Sequence, residues 1–275
     1  MEGKNIILAG VARSGSTLVC HLLNNSSDVV ALHEPIQPKI VPMKTDEAVA
    51  YIQNYFDQQR HLILSSGIAE SCSSSGKVPD NHVGKFNSKT GKREVLLDGK
   101  KIIIDKSLDN SFSLLIKQPG MFTALLSVLK EYFPCYATIR NPLAVLRSWN
   151  SVDMAVTNGH APAAEERDQL LKQALKIEPD RYQRQLILLS WYFEQYTKYL
   201  TESQIIRYED VISTGGQCLS RIDSSLTISE KKLENKNNNA LYDRSIKNVL
   251  AECLLDSNGF YWNYYSKQDV LDLLE

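Results

Sequence analysis

The sequence predicts an α/β protein of three layers, α/β/α, built on a central parallel sheet. Three observations carry that expectation. Short apolar runs such as "NIIL", "VVAL" and "CYATI" have the character of strands buried on both faces. Segments with helical spacing alternate with them, and that alternation builds a parallel sheet covered on each side. The chain has 275 residues, 43% hydrophobic and 23% charged, which is enough to bury a sizeable core as a single domain over 1–275.

Residues 5–10 read as the first strand and 17–24 as the helix after it. Residues 29–32 read as a second short strand, and 46–58 as a helix capped by Thr45 or Asp46. The composition changes over 65–100, which is rich in Ser, Gly, Asn and Lys and reads as an insertion or lid over a site. Within it, "KFNSKTGKREVLL" has the pattern of a β-hairpin turning at "SKTG". "KIIID" (101–105) and "SLLIKQP" (113–119) read as strands, the second leading to a helix at 120–131. "CYATIR" (135–140) is a further strand, and Pro142 opens the next helix. Residues 165–177 and 181–202 read as helices. Tyr182, Leu186, Leu189, Phe193, Tyr196 and Leu200 form one apolar stripe on the second, which marks a core face. "QIIRYEDVI" (204–212) reads as a strand running into a loop, 229–245 as a polar surface loop and 246–255 as a helix. "GFYWNYYS" (259–266) reads as an aromatic tail that docks on the body.

The net charge of −1 leaves no basic field, so nucleic acid is not expected as a partner. Five widely spaced cysteines without a CxxC pair suit reduced thiols and a cytoplasmic location. No apolar run approaches the ~20 residues of a membrane span, and the N-terminus does not read as a signal peptide.

Ligands of parallel sheets bind beyond the carboxyl ends of the strands. The informative residues are therefore Arg13 to Thr17, His33, Glu34, Lys117 and Arg140. "GVARSGSTL" has the frame of a phosphate-binding loop: Gly10, four residues, Gly15, then a helix start. Backbone N–H groups and the helix dipole make such a turn an anion site, to which Ser14, Ser16 and Thr17 add hydroxyls and Arg13 a charged fork. The lysine that would reach the outer phosphates of a nucleoside triphosphate is absent, since Ser16 stands there. A shorter anion, one phosphate bearing one further tetrahedral oxyanion, fits better. "IRNPLAVLRSW" supplies a second anion site. Arg140 ends a strand, and Ser148 follows eight residues later at an angle that can face back toward it.

"RSGST" with "IRNPLAVLRS" and "IRYEDVI" resembles the superfamily of sulfotransferases that use PAPS, 3′-phosphoadenosine 5′-phosphosulfate. The resemblance covers roughly 4–35, 113–150 and 204–212. It implies a P-loop NTPase-like sulfotransferase fold and release of PAP, the desulfated nucleotide, with no metal required. By this resemblance Arg13, Ser14, Gly15, Ser16 and Thr17 hold the 5′-phosphosulfate, Arg140 and Ser148 the 3′-phosphate, and Tyr208 or a neighbour the adenine region. A loop around 237–247 would close on the 3′-phosphate. Lys117 resembles a lysine near the transferred group in the tyrosyl-protein and carbohydrate branches.

The base must be found elsewhere than in the cytosolic small-molecule branch, because Pro119 stands where that branch has a histidine. Glu34 is favoured over His33. Its spacing from Arg13 resembles the tyrosyl-protein branch, and a strand-end carboxylate with limited solvent can have a raised pKa. Alternation along the strand places His33 and Glu34 on opposite faces. The acceptor is expected to be a small molecule with a hydroxyl or nitrogen nucleophile, in a pocket walled by the insertion, the aromatic tail and Trp149. Glu70, Asp80 or Asp153 could meet a cationic acceptor. The chain also resembles bacterial natural-product tailoring enzymes, some of which act on guanidinium toxins of the saxitoxin type. An ATP-dependent small-molecule kinase and a non-catalytic nucleotide-binding module are the alternative readings.

Overall fold

A computed structural model describes residues 3–87, 89, 91–223 and 230–275. Nine strands occur in chain order among them: β1 (Asn5–Gly10), β2 (Val29–His33), β3 (Ile68–Ser73), β4 (Val83–Phe86), β5 (Arg93–Val95), β6 (Gly99–Ile103), β7 (Ser113–Lys117), β8 (Cys135–Ile139) and β9 (Ile205–Arg207). Five of them form the central sheet in the order β2-β7-β1-β8-β9, with every pair parallel. β1 lies at the centre. The chain moves from it to one side through β2 and β7, then to the other through β8 and β9. That reversal opens a crevice at the carboxyl end of β1. Every residue of β2, β7 and β8 but one is buried, so both faces of the sheet are covered.

The helices are α1 (Ser16–Leu23), α2 (Thr45–Ser66), α3 (Pro119–Ala124), α4 (Leu126–Leu129), α5 (Pro142–Asn150), α6 (Pro162–Glu165), α7 (Gln169–Ile177), α8 (Arg181–Tyr199), α9 (Tyr208–Ser213), α10 (Lys247–Leu255) and α11 (Lys267–Leu271). α5 starts where Asn141 accepts from the N–H groups of Leu143 and Ala144 and Pro142 follows, so cap and fixed φ act together.

Several expectations change. The helix expected at 46–58 runs to Ser66 and ends at Gly67, which adopts φ +65. Its last turns occupy what was read as the start of the insertion. The single helix expected at 120–131 is two, α3 and α4, and the helix expected at 165–177 is α7, which starts only at Gln169 after the short α6. "KIIID" stays out of the central sheet: β6 pairs antiparallel with β3 instead. After β9 comes helix α9 rather than a loop. The hairpin is present as β4 and β5, although Ser88 and Thr90 of its turn lie outside the described residues. So does Ser229, at the start of the polar loop.

The apolar stripe of α8 is core, with Leu189, Phe193 and Tyr196 all fully buried. The aromatic tail docks on it. Tyr261 and Tyr265 set their rings edge-on to Phe193 at 6.1 and 6.3 Å. This tail lies against the body rather than around the crevice.

Candidate anion-binding site at the end of β1

The loop after β1 is shaped by close approach to β8. A Cβ on Gly10 would sit 2.1 Å from Thr138 Oγ1, so only glycine fits there. Arg13 and Gly15 adopt left-handed φ of 69 and 92. This turn aims the start of α1 into the crevice, with no side chain capping the helix. Its first N–H groups are thus available to an anion. Ser16 and Thr17 line the cavity with Arg13 and Gly15. Ser14 does not. Its hydroxyl is tied to Thr138, 2.9 Å from the carbonyl and 2.7 Å from Oγ1, and so braces the loop against β8.

The cavity has a volume of 510 Å³, in the range of small-ligand sites. The two expected anion groups meet in it through Arg13. Arg13 Nε donates to Ser148 Oγ at 3.3 Å, and Arg140 Nη1 donates to the Arg13 carbonyl at 3.3 Å. Arg140 Nε donates to Asn237 Oδ1 at 2.7 Å, and its guanidinium lies 4.3 Å over the Tyr208 ring. The residue is 4% exposed, and its Nη2 has no hydrogen-bond partner among the described residues. A buried donor without a partner costs about 1–3 kcal/mol, which an anionic ligand would recover, although the Tyr242 phenol beside Arg140 already offsets part of it. Tyr208 also packs on the loop, where a Cβ on Gly15 would meet its ring at 2.7 Å.

Glu34 and Lys117 come together as well. Lys117, expected to emerge at the sheet edge, is only 2% exposed and forms an ion pair with Glu34 Oε1. Alternation does not separate His33 from Glu34. Glu34 follows the last residue of β2 with φ +46, which turns its carboxylate back until Oε1 lies 3.6 Å from His33 Nε2. The raised carboxyl pKa expected for a strand end is reversed. Burial alone would push it up, but the Lys117 ammonium and the His33 hydrogen bond outweigh burial and hold it well below the usual carboxylate range.

Cavity residues that the sequence does not single out include His82, Arg93 and Tyr242. His82, just before β4, is 8% exposed. Its Nδ1 lies 3.1 Å from Thr17 Oγ1 and its Nε2 3.2 Å from Arg13 Nη1. Burial, then the Arg13 and Lys117 charges, lower its pKa to about 2, so the ring is neutral. Arg93 of β5 donates to the carbonyls of Gly84 and Val83 at 2.8 and 2.9 Å and locks the hairpin. Tyr242 comes from the loop at 237–247. Burial would raise its phenol pKa, but Arg140, a hydrogen bond to Ser148 and Arg13 hold it down. That loop also sends Asn238 to Arg147 Nη1 at 2.7 Å.

Of the residues expected to wall the acceptor, Asp80 lines the cavity. Trp149 does not: it is fully buried beneath the loop, donating to the Ala12 carbonyl at 2.8 Å. Glu70 lies outside the cavity and takes the Tyr55 hydroxyl at 2.8 Å.

No protein-family model matches the chain, and no curated protein matches it. Solved structures are similar, among them the sulfotransferase STF9 from Mycobacterium avium, at 13% identity and a TM-score of 0.36, covering 100% of this chain and 76% of that one. The parallel sheet order β2-β7-β1-β8-β9, with the glycine-rich loop at the end of its central strand, is that of an α/β fold. No described helix is long and apolar enough to cross a membrane.

Proposed function

We propose that this protein transfers a sulfuryl group from PAPS to a hydroxyl or nitrogen of a small-molecule acceptor and releases PAP. The observation that carries the reading is the paired anion site. A loop with Ser16 at the P-loop lysine position and Arg13 three residues earlier stands hydrogen-bonded to a second cationic cluster, whose Arg140 keeps a buried donor without a partner among the described residues. A nucleotide phosphorylated at two separate positions suits that pairing.

Arg13, Ser16, Thr17 and the first N–H groups of α1 would hold the 5′-phosphosulfate. Arg140 and Ser148 would hold the 3′-phosphate, with Tyr242 beside them. Tyr208, Ile212 and Leu233 offer an apolar slot for the base. PAPS supplies the activated sulfuryl group. Lys117 keeps positive charge beside the transferred group, which in such reactions lowers the barrier by stabilising charge that develops there. Glu34 would take the acceptor's proton, and the Lys117 pair, which lowers its pKa, makes it a weaker base than a free carboxylate. Asp80, Asn81, Val83, Leu96 and Met154 form the remaining wall, where the acceptor would sit.

Thermal unfolding with PAP plus EDTA, with ATP and Mg²⁺, and with AMP tests this reading. A ligand at ~100 times its Kd stabilises the fold by about 2.7 kcal/mol, a shift of several degrees. The expected result is a shift with PAP in EDTA. A shift with ATP and Mg²⁺ alone would replace this reading with a kinase.

A further inference from the structure

His82 carries an inference that deepens the nucleotide reading and rests on it. The residue comes from the segment over 65–100, and it touches both Arg13 and Thr17 of the anion loop. An arginine has only hydrogens to offer, so Nε2 accepts from Arg13 Nη1. The neutral ring then carries its proton on Nδ1 and donates it to Thr17 Oγ1. Nε2 therefore does for Arg13 what an oxygen of a bound anion would do. In this arrangement the imidazole stands in for the ligand.

We propose that an anion entering the loop takes Arg13 from His82, and that His82 then binds a proton at Nε2 and becomes a donor to that anion. The physical argument is a change of partner. When Arg13 turns to the ligand, Nε2 loses the one donor it faces among the described residues. Beside it now stands an acceptor-rich, negatively charged group. A neutral imidazole can satisfy that exchange in one step, by taking a proton from solvent.

The charges around the ring point the same way. Arg13 from the loop, Lys117 from the end of β7 and His33 from the end of β2 oppose its protonation, while Glu34 favours it. Asp80 stands two residues earlier on the same segment and lines the same cavity. A ligand with several negative charges offsets Arg13 and Lys117 and raises the proton affinity of His82. The sign follows from linkage. A group whose pKa is raised in the complex takes up a proton on binding, so affinity strengthens as pH falls through the raised pKa.

The test is calorimetric titration of the whole chain with PAP and, separately, with inorganic pyrophosphate. Each is run near pH 6.5 in two buffers of different ionisation enthalpy, for the wild type, His82→Gln and His82→Asn. The expected result is uptake of up to about one proton per ligand in the wild type beyond that in both variants. The variants still bind. Equal uptake in the wild type and variants would overturn the proposal. Because a variant can fold poorly, the ¹⁵N resonances of His82 are followed in the wild type as well. They should show a neutral Nδ1–H ring in the free protein and a doubly protonated ring with ligand. A ring that stays neutral, or carries its proton on Nε2 when free, would also overturn it. Pyrophosphate binding with proton uptake, but without PAP binding, would sink the nucleotide reading and leave the His82 proposal standing. If neither ligand binds the wild type, both fall.

Discussion

At Glu34 one backbone torsion decides the chemistry of the site. With φ +46 the residue leaves the strand pattern and brings its carboxylate to Lys117 and His33. Period-two alternation holds only while a strand lasts, so a site residue placed one step past its end is not legible by that rule. Its ion pair leads to a measurable prediction. Glu34→Gln should keep PAP binding and lose transfer. It should also lower stability at pH 7 by about 1–3 kcal/mol, below the full penalty for breaking a buried pair because Glu34 remains partly solvated. Its depressed pKa fixes the pH window. The contribution is complete above the unfolded carboxyl pKa of about 4.3 and fades as pH falls through the folded value. Urea unfolding at pH 7 and pH 3 should show the difference between wild type and variant shrinking in acid. A difference of the same size at both pH values would remove the ion pair as its cause. Removing both charges, in Glu34→Gln with Lys117→Met, should recover most of the lost stability and none of the transfer.

At the scale of elements, the β1–loop–α1 unit was legible because its signals are local. An apolar run, two glycines at fixed separation and a helix start all fall within residues 5–23. The same holds for β8 and α5, where Arg140 directly follows the strand and Ser148 lies on the helix. Gly15→Ala tests the first unit. Its φ of +92 and the Tyr208 ring 2.7 Å from the added Cβ should together cost about 1–3 kcal/mol, read from denaturant midpoints, and weaken PAP binding. Unchanged stability and binding would mean that the loop relaxes freely. Asn141→Ala tests the second unit. The loss of its cap, together with its 2.8 Å bond to the Asp269 carbonyl of α11, should cost about 1–2 kcal/mol. His82, Arg93 and Tyr242 were not legible. Each reaches the cavity from a segment far away in sequence, with no periodic pattern, and only the fold brings them there. A lone histidine just before a hairpin is a weak signal, and nothing in its neighbours' spacing marks it.

Across the whole molecule, the sheet order places β1 between β7 and β8. The first anion group therefore sits beside the second, and Lys117 ends the strand on the other side. Alternating strands and helices suggested a parallel sheet, but not which strand lies in the middle. That is set by pairings between segments more than a hundred residues apart. The arrangement leads to a prediction about selectivity. Wild-type protein should bind PAP much more tightly than AMP. Arg140→Ala should erase most of that preference while leaving AMP binding near its original strength. Competition of both nucleotides against a fluorescent PAP analogue would measure it. A variant that kept the preference would place the 3′-phosphate elsewhere.

The hairpin is clasped to the helix that carries Ser148. The Arg93 N–H donates to the Ser151 carbonyl at 2.9 Å, and Lys92 Nζ donates to the Asn150 carbonyl at 2.8 Å, both at the carboxyl end of α5. The segment that delivers His82 is thus fastened to the second anion group by bonds that break only if it lifts away. Amide exchange with heavy water would report that lifting. Occupying the cavity with PAP should slow deuterium uptake at Arg93 and Leu96, although neither amide faces the ligand. The hairpin would then act as a hinged cover whose opening rate sets how fast a nucleotide can leave.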